Sequence, residues 1–364
     1  MPNIISSIIN NKTYFYPHTH RIGYLGWVGH NNLGDEALFI AFQKLFQRAL
    51  VLPYKLNDKF KKFEKVCPIP LFKSVCLGGG TLINFNELAP EFEYIQKKYA
   101  RTFVFGTGVR NPCFWATRGK HKDSIQDWVR ILKRCEFVGV RGPLSCEILK
   151  GHGLDNVKII GDLALSLAPS SVKPKSMNKR VGMNIGMSGG HVWGSEEEVL
   201  EKVIGLGNAL LDNGWDITFL PVLDRDVPYI RRAVERLKKR VNIMQDFLSL
   251  EKTMHFLASC DLFIGEKLHS VILAMATYTP AIMLEYRPKC LDFMLSMDMQ
   301  EFNVRTDEMQ ISWILEKVRR LYSNTAFYQN KIAEKIIHYT SIQRTAAETL
   351  MASKFSRVAE YANL

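Results

Sequence analysis

The sequence predicts an α/β protein built from two Rossmann-like domains that face a cleft. Three observations lead there. Its 364 residues exceed what one typical core organises. Short apolar runs alternate with helix-like segments through both halves, the order that gives a parallel sheet with helices on both faces. A stretch rich in Pro, Ser and Lys at 169–179 interrupts the alternation once and reads as a linker. The expected division is an N-terminal domain over 1–172, a C-terminal domain over 173–326 and a helical segment over 327–364.

In the first half, 21–26 reads as a strand. A helix is expected over 35–50, because Leu38, Phe42, Leu45, Phe46 and Leu50 recur at helical spacing. Strands at 74–77 and 102–105 are each expected to stop at glycines, the first at Gly78-Gly79-Gly80 and the second at Gly106-Thr107-Gly108. Further strands fall at 137–140, followed by Arg141 and a helix, and at 157–160, followed by Gly161-Asp162. The second half opens with a strand at 181–185 and a Gly-rich loop at 186–194. Strands follow at 216–220, 241–244, 260–264 and 280–284. The small, apolar run 270–278 between the last two reads as a buried helix. Two such domains facing one cleft make the glycosyltransferase-B arrangement.

In a parallel sheet, ligands sit beyond the carboxyl ends of the strands. Two polar clusters fall at such ends in consecutive βα units. Glu266, Lys267 and His269 follow one strand; Glu285, Arg287 and Lys289 follow the next. Lys267, His269, Arg287 and Lys289 together look aimed at a small polyanion. In the first half, the segment from Trp27 to Asp35, with Asn32 within it, joins a strand to a helix N-terminus. Free N–H groups and the positive dipole end suit an anion there. Asp35 reads as a helix cap or as a catalytic carboxylate. Gly79 and Gly80 place bare backbone where a ligand, or a tightly packed helix, can approach. In the loop 186–194, Ser188, His191 and Trp193 read as a sugar-holding group, the Trp by stacking on a ring face, or as a mobile linker loop.

Composition narrows the function. Hydrophobic content of 47% and charged content of 23% are those of a globular protein. No apolar run is long enough to span a bilayer. The short run 4–9 is broken by Ser6 and Ser7 and does not read as a signal peptide. Seven cysteines without a CxxC pair point to a reducing cytoplasm, and to neither a disulfide framework nor a structural zinc site. The net charge of +12 is dispersed, with local runs at Lys59, Lys61, Lys62 and Lys65 and over 231–240. Neither run is interleaved with aromatic residues, so phosphorylated small molecules and peripheral contact with the inner face of a membrane are expected rather than nucleic acid. The GxGxxG and GxxxxGK[ST] spacings are absent, which argues against NAD and ATP.

Taken in order, Asn32-Leu33-Gly34-Asp35-Glu36-Ala37, Gly78-Gly79-Gly80-Thr81-Leu82, Gly106-Thr107-Gly108, Val140-Arg141-Gly142-Pro143, Gly161-Asp162, Lys267-Leu268-His269 and Tyr286-Arg287-Pro288-Lys289 give the chain a resemblance to the polysaccharide pyruvyl transferases. The resemblance covers about residues 22–293. It implies a glycosyltransferase-B-like fold, phosphoenolpyruvate as donor and co-substrate, no further cofactor and no required metal. It implies a sugar acceptor that receives a pyruvate ketal across two hydroxyls. It also implies that Arg141, His269 and Lys289 face the donor. The family usually carries Arg where this chain has Lys267, so charge is kept and the bidentate fork is lost; Lys267→Arg is therefore expected to be tolerated. Asp35 is the candidate base or proton shuttle, with Glu266 and Asp162 as rivals. The acceptor's carrier stays open between a free glycan, a nucleotide-linked sugar and a lipid-diphosphate oligosaccharide. The alternative is a nucleotide-sugar glycosyltransferase of the same fold, with Glu285 as a ribose-binding carboxylate. A non-catalytic polyanion-binding protein is a further alternative.

Overall fold

A computed structural model of the chain describes residues 20–66, 70–117 and 124–352. The run 4–9 and the last part of the expected C-terminal helical segment, 353–364, lie outside the described residues.

The N-terminal domain is one parallel sheet. Its strands are β1 (Arg21–Leu25), β2 (Leu50–Pro53), β3 (Ser74–Leu77), β4 (Gly80–Ile83), β5 (Thr102–Val109), β6 (Val138–Val140) and β7 (Lys158–Ile159). They run in the order β2-β1-β3-β5-β6-β7, with β4 paired to β5. The accompanying helices are α1 (Leu33–Leu45), α2 (Asp58–Val66), α3 (Leu88–Lys98), α4 (Pro112–Ala116), α5 (Ile125–Leu132) and α6 (Pro143–Gly151).

The C-terminal domain repeats the plan. Its strands are β8 (Arg180–Asn184), β9 (Asp216–Phe219), β10 (Asn242–Ile243), β11 (Leu262–Gly265), β12 (Ala281–Glu285) and β13 (Asn303–Arg305), in the order β10-β9-β8-β11-β12-β13. Its helices are α7 (Glu196–Asp212), α8 (Asp226–Val234), α9 (Leu250–Ser259), α10 (Leu268–Ala276), α11 (Pro288–Ser296), α12 (Ile311–Ser323) and α13 (Thr325–Ala352). Strand order reverses between β1 and β3 and again between β8 and β11, which opens a crevice at those carboxyl ends.

Apolar patterning explains the layers. Every residue of β11 and β12 is buried, as strands covered on both faces require. Helix α10 is buried on nearly all sides, because it also packs against the 3₁₀ turn Leu163–Leu167 of the other domain. A single apolar core therefore runs from Phe42 and Leu163 through Val271 to Ile336 on α13. Full burial of such a side chain contributes about 1.5–3 kcal/mol. Helix α13 crosses back to the N-terminal domain. Its Gln343 Nε2 donates to Ile160 O (2.9 Å) and Asp162 O (3.0 Å), and the carbonyl of Leu350 accepts from Arg101 (2.8 Å).

Local structure departs from the sequence-based expectation at four points, one of them the unanticipated edge strand β13. The first helix ends at Leu45, and Leu50 opens β2, a strand not anticipated. Apolar spacing cannot separate a helix's last turn from a buried strand that follows after a short turn. Strand β5 does not stop at Gly106-Thr107-Gly108 but runs through to Val109. Gly106 takes φ +78 and absorbs a register shift against β6, so the glycine serves a bulge. Gly80 likewise begins β4 instead of ending β3.

Candidate active site

A cavity of about 140 Å³ lies between the domains at the carboxyl ends of the strands. Asn32 lines it from the N-terminal domain. Ser188, Arg225, Lys267, His269, Tyr286, Arg287 and Lys289 line it from the C-terminal domain, and among the described residues no carboxylate does. Tyr286 is the hub of its charge. The ring centroid lies 5.3 Å from Lys267 Nζ, 5.1 Å from Arg287 Cζ and 5.0 Å from Lys289 Nζ, within the range of cation–π attraction.

His269 occupies the first turn of α10, two residues beyond Lys267, which caps that helix without a side-chain bond. Gly34 in the first turn of α1 packs against its ring, where a Cβ would lie 2.1 Å from Nδ1. His269 Nε2 is buried and has no hydrogen-bond partner. Burial, and then the neighbouring charges of Lys289 and Arg141, hold the imidazole well below its ordinary pKa, so it is neutral at pH 7.

Two groups beside it are poised near neutrality. Burial lowers Lys289 to about 7, with Arg287 adding to the effect. Burial raises Asp35 to about 7 against the pull of Lys289, with Glu36 and Asp162 adding to the rise. Asp35 follows Asn32, whose side chain accepts from Gly34 N (3.1 Å) and caps α1. Asp35 is thus no cap, and its carboxyl approaches Gly80.

Arg141 does not line the cavity. It is fully buried behind His269 and Lys289, donating to Gly80 O (3.4 Å) and Thr81 Oγ1 (3.3 Å) and lying 3.8 Å from Asp162 Oδ2. Asp162 also accepts from Ala164 N (3.0 Å), so it serves the 3₁₀ turn and Arg141. The helix that follows Arg141, α6, is held from the other domain. Asp292 accepts from Leu144 N (2.8 Å), Ser145 N (3.2 Å) and Ser145 Oγ (2.6 Å).

Lys267 and Arg287 bind protein as well as facing the cavity. Lys267 Nζ donates to Met187 O (2.6 Å) and Ser188 Oγ (2.8 Å). Arg287 donates to His191 O (2.6 Å) and Ser188 O (2.7 Å). Both therefore clasp the Gly-rich loop. Glu266 lies behind that loop and accepts from Gly186 N (2.9 Å), its pKa raised by burial to about 7. Glu266 is not in the cavity lining.

Three further sequence candidates stand apart from the cavity. Trp193 donates through its indole N–H to Glu285 Oε1 (3.1 Å), with Arg305 4.0 Å over its ring and Phe114 edge-on at 4.7 Å. Its ring is packed rather than offered to a sugar. Glu285 also accepts from Asn303 on its other oxygen, so both oxygens of the candidate ribose carboxylate are engaged. Gly79 packs against Leu38 and donates to Tyr24 Oη (2.9 Å), which makes it a packing glycine. Sequence reasoning missed Arg225 and Asp292. Arg225 follows β9 and was legible by the strand-end rule. Asp292 lies inside α11 and becomes visible only when the domains meet.

Comparison with known proteins matches this picture. The model of the family described as polysaccharide pyruvyl transferase matches residues 32–288, more than half of the chain. The amylovoran biosynthesis protein AmsJ of Erwinia amylovora is 27% identical over 150 residues, which span 38% of this chain and 35% of that protein. Among solved structures, S. aureus MnaA with UDP has a TM-score of 0.56 at 10% identity, covering 86% of this chain and 91% of its own. A UDP-N-acetylglucosamine 2-epimerase, so titled as putative, from Listeria monocytogenes has a TM-score of 0.56 at 11% identity over 92% of this chain and 98% of its own. Anabaena Alr3699/HepE with UDP and glucose has a TM-score of 0.52 at 14% identity over 92% of this chain and 100% of its own. These likenesses establish the fold, two Rossmann-like domains in the glycosyltransferase-B arrangement. The family match over residues 32–288 establishes that the chain belongs to the polysaccharide pyruvyl transferase family.

Proposed function

We propose that the protein transfers the pyruvyl group of phosphoenolpyruvate to two hydroxyls of a sugar in a polysaccharide or its precursor, forming a pyruvate ketal and releasing phosphate. The observation that carries this reading is the cavity. It holds Arg225, Lys267, Arg287 and Lys289, no carboxylate among the described residues, and about 140 Å³ of space. Fixed cations suit a ligand with both a phosphate and a carboxylate. Drug-sized ligands occupy pockets of about 300–1,000 Å³, so the space favours a three-carbon phosphate over a nucleotide-sugar. The engagement of Glu285 by Trp193 and Asn303 also speaks against a ribose site there.

The chemistry follows from the groups present. Asp35 lies outside the cavity lining but, with a pKa near 7 and within electrostatic reach of Lys289, it is the shuttle that supplies a proton to the methylene carbon of the donor, making C2 electrophilic. One acceptor hydroxyl attacks C2, phosphate departs, and a second hydroxyl closes the ketal. One hydroxyl proton replaces the one Asp35 gave up and the other leaves with phosphate. Lys289 and Lys267 offset the charge of phosphate and carboxylate, and Arg141 adds positive potential from behind. His269, which lines the cavity, serves the leaving phosphate or the attacking hydroxyl. The protein is expected to meet its acceptor at the inner face of the membrane, with no metal.

Phosphate release from phosphoenolpyruvate, measured with and without a mixed glycan extract, tests the reading. Glycan-dependent release with a pyruvate ketal seen by NMR supports it. Glycan-dependent release of UDP from UDP-sugars, without reaction of phosphoenolpyruvate, would replace it with the glycosyltransferase reading.

A further inference from the structure

We infer that Trp27 is the platform on which the ring of the acceptor sugar stacks at the mouth of the cavity. The inference rests on the pyruvyl-transfer reading and identifies the acceptor contact that reading leaves unassigned. Trp27 is 55% exposed, unusual for so large an apolar side chain. The imidazole of His30 stacks on its ring, with centroids 4.2 Å apart and planes at 22°. One face is therefore backed by a parallel ring and the indole is held in a fixed attitude.

The loop that carries it is also fixed. Gly29 N donates to Glu36 Oε1 (2.6 Å), which ties the loop back to α1. Asn31, at φ 52, donates through Nδ2 to Asp224 Oδ2 (3.3 Å) in the other domain. Asn32 bridges to Leu223, and Leu33 N donates to Val222 O (3.1 Å). Asn32, Val222, Leu223 and Arg225 line the cavity, so the stitches that hold the Trp27 loop are part of the cavity's wall. An exposed, oriented indole on a loop stitched into the wall of a polyanion pocket has the form of a carbohydrate platform. A pyranose ring lays its apolar C–H face on the indole while its hydroxyls turn toward the cavity. Trp193 lacks this form, because Arg305 and Phe114 occupy its ring.

The test uses the full chain, saturated with phosphoenolpyruvate, and five methyl pyranosides of the gluco, galacto, manno, N-acetylgluco and N-acetylmanno series. Saturation-transfer NMR titration gives the affinity for each, and calorimetry gives the affinity for phosphoenolpyruvate. At least one pyranoside should bind the wild type. Its affinity should fall about tenfold in Trp27→Ala, the loss of one aromatic contact, and be largely kept in Trp27→Tyr, with phosphoenolpyruvate affinity unchanged in both. Equal pyranoside affinity in Trp27→Ala and wild type, or no binding of any of the five to the wild type, overturns the inference. If phosphoenolpyruvate does not bind but a pyranoside binds in a Trp27-dependent way, the platform stands and the donor reading falls.

Discussion

Gly34 and His269 come from different domains and touch, the bare Cα of one lying against the imidazole of the other with no room for a Cβ between them. The contact joins two motifs far apart in the chain, the Gly34-Asp35 turn that opens α1 and the Lys267-Leu268-His269 turn that opens α10. It packs the imidazole from the side of α1, while His269 lines the cavity from α10. Gly34→Ala should therefore push α1 and His269 apart. Overpacking of this kind costs about 1–3 kcal/mol, read as a lower urea midpoint, and glycan-dependent phosphate release should fall about 100-fold. Full activity in Gly34→Ala would show that the contact does not position the histidine.

His269→Ala should leave the fold intact, because the lost Nε2 had no protein partner to strand. Transfer should fall by about 10²–10⁴, the usual worth of a proton-transfer group. Near-normal turnover with an unchanged circular dichroism spectrum would remove His269 from the reaction.

Donor binding should take up protons. In the free protein Lys289 has a pKa of about 7, depressed by burial from 10.5. An anionic donor restores the charged form and raises that value again. Above pH 7 the free site is largely neutral and the bound site charged, so affinity weakens as pH rises through 7 and beyond. Calorimetry at pH 8 in buffers of different ionisation enthalpy should report uptake in the wild type and little in Lys289→Met. Equal proton uptake in both would assign the proton elsewhere.

Lys267→Arg should now be harmful, contrary to what charge conservation suggests. Lys267 Nζ sits between Met187 O and Ser188 Oγ, with its Cε beside the Cα of Gly186. A guanidinium must displace that loop. We expect the dissociation constant for phosphoenolpyruvate to rise about tenfold or more, roughly 1.4 kcal/mol. Unaltered binding by calorimetry would mean that the loop yields freely.

Trp193→Phe should cost stability and spare the donor. Losing the indole N–H strands an oxygen of buried Glu285, at about 1–3 kcal/mol. A urea denaturation series checks the cost. A changed affinity for phosphoenolpyruvate would instead put Trp193 in the donor site.

Much of this was legible in the chain. Lys267, His269 and Lys289 follow buried strands, and the rule that ligands gather at strand ends identified them. The same rule pointed to Arg287, but could not reveal that its guanidinium clasps the loop at Ser188 and His191. Glycine reads alike for packing, bulges and ligand approach, so Gly79 looked like a site residue and Gly106 like a strand end until their neighbours were known. Trp193 and Trp27 are equally aromatic in sequence, and only tertiary packing separates the covered ring from the open one. Asp292 acts across the domain boundary, where local pattern carries no signal.

The most direct measurement is calorimetric titration of the wild-type protein and Lys289→Ala with phosphoenolpyruvate and, separately, with UDP-glucose at pH 7. Phosphoenolpyruvate should bind the wild type at one site per chain and lose that binding in Lys289→Ala, while UDP-glucose gives no saturable heat. Saturable binding of UDP-glucose without binding of phosphoenolpyruvate would contradict the account.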